Sequence, residues 1–307
     1  MSGKLVSYIE KFSGFRLLKI LLKKIIIPGF GGLSLYDVIE MYVKGIVNGA
    51  FGMRASAISF SLFISIFPFL LFLMNLIPFV PVEGFQQEFL NFIGNLLPPK
   101  TSAFFDTMIN DIVNKQRVGL LSSTFVLSML FMTNGVNAVF NGFSNSYHTT
   151  INRSFFKQYP VALGVAVIVA LFLFTMVYAT VYVTYLVNTY ERYLIGDVIF
   201  WLQLGRIVIF IIMVYIITAT MFYLGTKEGK STPFFSVGAL LTTILIVLTT
   251  YGFTFYINNF SKYNELYGSI GALLIIMLYI WINSNLVLLG YELNASLLNL
   301  KRIRSKK

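Results

Sequence analysis

The chain has 307 residues, 57% of them hydrophobic and 11% charged, with a formal net charge of +11 and a mean hydropathy of +0.79. Soluble domains carry roughly a quarter charged residues, and no water-soluble core absorbs this much apolar surface, so a soluble enzyme or binding module is excluded. The absence of cysteine removes disulfides, thiolate metal sites and cysteine nucleophiles as well.

In chain order, residues 1–53 come first as an interfacial segment. Leu5, Ile9, Phe12, Leu17, Ile20 and Leu21 recur near helical spacing with lysines between them. That pattern predicts a basic amphipathic helix, either lying on the inner leaflet or packed against the cytoplasmic face of a bundle. Lys4, Lys11, Arg16, Lys19, Lys23 and Lys24 interrupt every short apolar run, so a cleavable signal is not expected and the N-terminus should be retained.

Six apolar runs follow within residues 54–296, near 56–80, 118–140, 160–187, 198–224, 237–257 and 269–289. Each reaches the length of about 20 residues that a helix needs to cross the hydrocarbon core. Backbone amides in lipid must be satisfied internally, and alternating barrel-type strands are absent from the sequence, so the expected fold is an all-α, polytopic six-helix membrane bundle. The loop at 81–117 is too long for a plain turn. Its two periodic pieces, Phe85, Phe89, Phe92, Leu96 and then Phe104, Met108, Ile112, are split by Pro98 and Pro99 and predict an extracytoplasmic helical hairpin. Residues 297–307 form a basic tail expected to sit near anionic headgroups.

Of the 23 lysines and arginines, 17 fall on the side that carries both termini and five on the other, with Arg206 inside the fourth run. By the positive-inside rule both termini are expected in the cytoplasm and the protein in a bacterial cytoplasmic membrane. Membrane lipids, anionic on the cytoplasmic side, are the expected partners. A second copy of the chain or an envelope-assembly component stays open as a partner, and nucleic acid is not expected.

Polar groups at membrane depth are costly and usually face protein or a wet cavity. Asn134, Asn137, Asn141, Asn145 and His148 recur at spacings of three and four along the second helix, and so share one face. The stripe reads either as hydrogen bonding between helices or as the wall of a polar cavity. Arg54 opens the first helix and Glu292 lies just past the sixth, at the same expected depth and with opposite sign, so they should meet. Asn285, two turns before Glu292, extends that polar face toward the bilayer centre. Pro68 interrupts the first helix and is a candidate hinge, although prolines in membrane helices are usually static. His148 is the single histidine of the chain. No catalytic residue, cofactor or metal ligand is assigned.

Several blocks resemble one family. The run from Arg54 through Ser56, Ser59, Ser61 and Ser65 to Pro68 is similar to its first-helix signature. Tyr267-Gly268-Ser269-Ile270-Gly271-Ala272, Trp281 and Leu289-Gly290-Tyr291-Glu292-Leu293-Asn294-Ala295 match its Tyr-Gly-Ser-x-Gly-Ala and Leu-Gly-x-Glu-x-Asn-Ala blocks in order. The chain thus resembles the YihY/virulence factor BrkB family from about Tyr36 to Ser296. The resemblance implies a six-helix protein of the bacterial cytoplasmic membrane, with relatives linked to lipid export and some bearing the older label ribonuclease BN. Phosphodiester hydrolysis needs clustered carboxylates and histidines, and the acids on the cytoplasmic side, Glu10, Asp37, Glu40, Glu228 and Glu292, are dispersed.

The expected function is a transporter or flippase-like role for a lipid or amphiphilic envelope component. A non-transporting envelope-assembly scaffold is the alternative, and a membrane-bound enzyme such as a ribonuclease is a third reading. No Gly-x-x-x-x-Gly-Lys loop is present, so any transport is passive, ion-coupled or powered by a partner.

Overall fold

The computed structural model describes residues 20–26, 34–36, 39–40, 50–76, 118–149, 153–190, 196–260 and 269–305. Six long helices make up the body: α1 (Phe51–Leu76), α2 (Val118–Ser144), α3 (Phe155–Tyr190), α4 (Gly196–Gly225), α5 (Val237–Phe260) and α6 (Ser269–Ser305), with a 3-10 turn at Glu228–Ser231 between α4 and α5. Each of the six is long and apolar enough to cross a membrane. No strand occurs among the described residues; a lone bridge pairs Ile26 with Ser34.

The helices form a ring. Each packs mainly against its neighbours in sequence, and α6 returns to pack on α1. Small residues make the close approaches possible. Ala55, Ala162, Ala166, Ala219 and Ala239 are fully buried. Between α5 and α6 the backbones nearly touch: a Cβ on Gly290 would lie 1.7 Å from Thr242 Oγ1 and 2.6 Å from the carbonyl oxygen of Gly238. Further along, Tyr279 and Thr250 hydroxyls meet at 2.7 Å.

The outer surface of the ring is apolar, with Phe60, Phe67, Phe125, Leu130, Leu171, Phe200, Leu248 and Phe255 all exposed. In water such a surface would aggregate; in a bilayer it is matched to its solvent. Inside the ring lies a cavity of about 390 Å³ to which all six helices contribute.

The structure shifts several expected boundaries. α1 starts at Phe51, α3 runs from Phe155 through Pro160, and α6 continues to Ser305 instead of ending near 289. At 1.5 Å per residue α6 is about 55 Å long, against a hydrocarbon core of about 30 Å, so one end projects past the membrane. Residues 297–305, expected as a tail, are therefore helical. Pro68 lies within an unbroken α1. Of the N-terminal amphipathic segment, residues 20–24 are helical with Ile20 and Leu21 exposed. The rest of that segment and the whole hairpin at 81–117 lie outside the described residues.

Candidate functional site

The end of the ring that holds the start of α1 and the last turns of α6 carries a buried polar cluster. Its centre is Glu292 of α6, which is 0% exposed. Arg54, in the first turn of α1 and also buried, places Nη2 3.6 Å from Glu292 Oε2. Ser146, in the turn after α2, donates its hydroxyl to the same oxygen at 2.8 Å. Arg54 Nη1 donates to the carbonyl of Gly142 at 3.0 Å. Gly142 packs closely there: a Cβ would meet Ile58 Cδ1 at 2.8 Å and Leu288 Cδ2 at 3.2 Å, so those side chains would have to shift.

An isolated charge in this position would cost several kcal/mol, and the opposite charges offset part of that cost while tying three helices together. The cluster is nonetheless incompletely satisfied. Arg54 Nε and Nη2, Glu292 Oε1 and Ser296 Oγ have no hydrogen-bond partner among the described residues. His148 approaches from the α2 side, its Nε2 4.0 Å from Glu292 Oε1. On its other side, His148 Nδ1 lies 3.3 Å from the side-chain amide nitrogen of Asn299.

Around this centre, a set of clasps closes the end of the ring. Tyr291 stacks on Phe143 with centroids 4.2 Å apart, and its hydroxyl contacts Thr149 Oγ1 at 3.1 Å and Thr226 Oγ1 at 3.0 Å. Arg153 donates to the carbonyls of Leu224 and Thr226, satisfying acceptors that the end of α4 leaves open. Burial lowers the pKa of Arg153 from its ordinary value, yet a guanidinium stays charged in proteins. Glu228 of the 3-10 turn pairs with Arg302 of α6 at 2.9 Å. Asn294 completes the set: its Oδ1 accepts from the backbone N–H of Gly238 at 2.9 Å and its Nδ2 donates to Ser236 Oγ at 2.7 Å, so a residue of α6 caps the start of α5.

The residues singled out in the sequence separate into three places. Arg54, Glu292 and His148 come together in the cluster. Asn137 and Asn141 instead accept from Gln158 Nε2 of α3, at 2.7 and 2.8 Å, while Asn134, Asn141 and Asn145 are exposed. None of the four asparagines lines the 390 Å³ cavity, whose α2 wall is Met132, Val136 and Val139. The asparagine face and the cavity are therefore different sites. Asn285 donates its Nδ2 to Trp281 O of its own helix at 2.7 Å.

Sequence reasoning missed Ser146, Gln158, Thr226, Asn299 and the Glu228–Arg302 pair. An acid in the short, otherwise basic loop at Glu228 was the one available signal for the last. Among the described residues, no group of three His, Asp or Glu side chains could hold a metal ion.

Comparison with known proteins agrees with the motif blocks. A family profile described as virulence factor BrkB matches residues 48–307. A ribonuclease-like protein, YfkH, of Bacillus subtilis is 23% identical over 260 residues, covering 81% of this chain and 91% of its own. A UPF0761 membrane protein of Aggregatibacter aphrophilus is 24% identical, covering 82% and 88%. One from Coxiella burnetii is 23% identical, covering 77% and 84%. No solved structure matches. With the profile spanning the whole helical ring and six helices long and apolar enough to cross a membrane, the chain is an integral membrane protein of the virulence factor BrkB family.

Proposed function

We propose that the protein is a non-enzymatic transporter or flippase-like protein for a lipid or other amphiphile, in a bacterial cytoplasmic membrane with both termini cytoplasmic. The observation that carries this reading is the cavity of about 390 Å³ at the centre of the ring. Its volume falls within the range of about 300–1,000 Å³ found for small-molecule sites. Along α1 it extends from Ile58 to Phe69, about 16 Å at 1.5 Å per residue and roughly half the hydrocarbon thickness. A bundle whose polar groups served only to fix helix packing would have no use for an unfilled centre, because packing to full density stabilises it.

One helical turn beyond Ile58, the Arg54–Glu292 cluster closes the ring on the proposed cytoplasmic side. Opening toward that side requires Arg54 to part from both Glu292 and the Gly142 carbonyl. The cluster thus acts as a latch between α1, α2 and α6. Lys301 and Arg302 on the projecting end of α6 face the region of anionic headgroups.

Reconstitution tests the reading. Liposomes containing the protein should expose a fluorescent, inner-leaflet amphiphile to a membrane-impermeant quencher faster than protein-free liposomes do. Equal rates across several amphiphiles and pH values would favour the scaffold.

A further inference from the structure

On the outward face of α2, Leu127, Leu130, Asn134, Asn137, Asn141 and Ser144 recur at alternating spacings of three and four, the spacing of a coiled-coil seam. Leu127, Leu130, Asn134 and Asn141 are exposed, and Asn137 and Ser144 are half-buried. The seam thus lies on the lipid side of the ring, opposite the face of α2 that meets the cavity.

Asn134 sits near the middle of the apolar span Leu121–Ser144. Three amides on other helices are satisfied locally: Asn75, Asn283 and Asn285 each donate to the carbonyl four residues back. Asn137 and Asn141 share Gln158. The side chain of Asn134 makes no hydrogen bond among the described residues, and it faces outward.

An amide turned toward hydrocarbon leaves two donors and an acceptor unsatisfied, which a bilayer penalises. Acyl chains offer nothing to bond and headgroups lie at the surface, so the partner that suits this depth is protein. A second copy of the chain carries the same stripe at the same depth and in the same direction. An amide, being both donor and acceptor, complements itself across a two-fold axis.

We propose that the protein forms a homodimer in which α2 packs in parallel against α2 of a second copy, with Asn134 hydrogen-bonded to the partner's Asn134. The two-fold axis runs along the membrane normal. An asparagine in such a seam sets register and oligomeric state, and Leu127 and Leu130 continue the contact along the helix. The interface is separate from the cavity and stands or falls without the transporter reading.

Because the chain has no cysteine, single cysteines report the contact directly. In membranes treated with an oxidant, Leu127→Cys and Leu130→Cys should each give disulfide-linked dimers. Leu171→Cys on α3 and Leu248→Cys on α5, at positions 61% and 62% exposed on other faces of the ring, should not. Dilution of the full chain in liposomes should show Asn134→Leu dissociating with a dimer Kd about tenfold larger than that of the unmodified protein, the scale of hydrogen bonding between membrane helices. Asn134→Ala serves the same purpose should leucine disturb folding.

Cross-linking at Leu171→Cys or Leu248→Cys as strong as at Leu130→Cys would overturn the proposal, as would a Kd unchanged by loss of the amide. A protein that stays monomeric at every dilution would also overturn it. Slower lipid movement with Asn134→Leu would in that case assign the stripe to lipid headgroups.

Discussion

At the scale of single residues, the Arg54–Glu292 pair was legible because opposite charges at one depth, in a medium that penalises each alone, have few alternatives to meeting. Glu292→Gln would leave Arg54 buried with no counter-charge, and a loss of about 3–5 kcal/mol is expected, read as a large drop in thermal stability in detergent. Exchanging the two, Arg54→Glu with Glu292→Arg, should recover part of that loss; a double variant as unstable as Glu292→Gln would show that the pair is not a pair. The asparagine stripe was legible only as a face. Helical period says which residues point the same way and not what stands opposite, so Gln158, which bridges Asn137 and Asn141, could not be found. Asn294 stood in a recognisable block, but its capping of α5 depends on a contact 56 residues away in sequence. Asn294→Ala should cost about 1–2 kcal/mol, the worth of an N-cap, measurable by the same thermal assay.

At the scale of elements, the six spans follow from run length because the bilayer sets a minimum that random sequence seldom meets. Their ends were harder to place. Hydropathy falls after Leu289, yet α6 continues, because Glu292, Asn294 and Ser296 are buried by protein and not by lipid. A hydropathy window registers their polarity and cannot register their partners. Gly290 likewise reads as a helix-weakening residue, although here it lets α5 and α6 approach closely at Gly238 and Thr242. Gly290→Ala should separate these helices and destabilise by about 1–3 kcal/mol, as overpacking does. Adding Thr242→Ala should relieve only part of this, since the new Cβ would still lie 2.6 Å from the Gly238 carbonyl oxygen. Full rescue would place the clash at the Thr242 side chain alone.

For the molecule as a whole, the ring was not in the sequence reading, which gave a bundle of six helices with no order of packing. Short connections make sequence neighbours adjacent, but the return of α6 to α1 and the central void are set by side-chain volumes summed over all six helices. Orientation is checked by single cysteines on this cysteine-free chain. In intact cells an impermeant maleimide should label a Thr101→Cys variant and spare Ser305→Cys until the membrane is permeabilised, as the charge asymmetry requires. The central claim, that the cavity is the working part, is tested most directly by comparing amphiphile movement in liposomes containing the unmodified protein with movement in liposomes containing an equal amount of folded Val136→Trp. The account predicts acceleration by the former and a rate near that of protein-free liposomes for the latter; equal acceleration by both would contradict it.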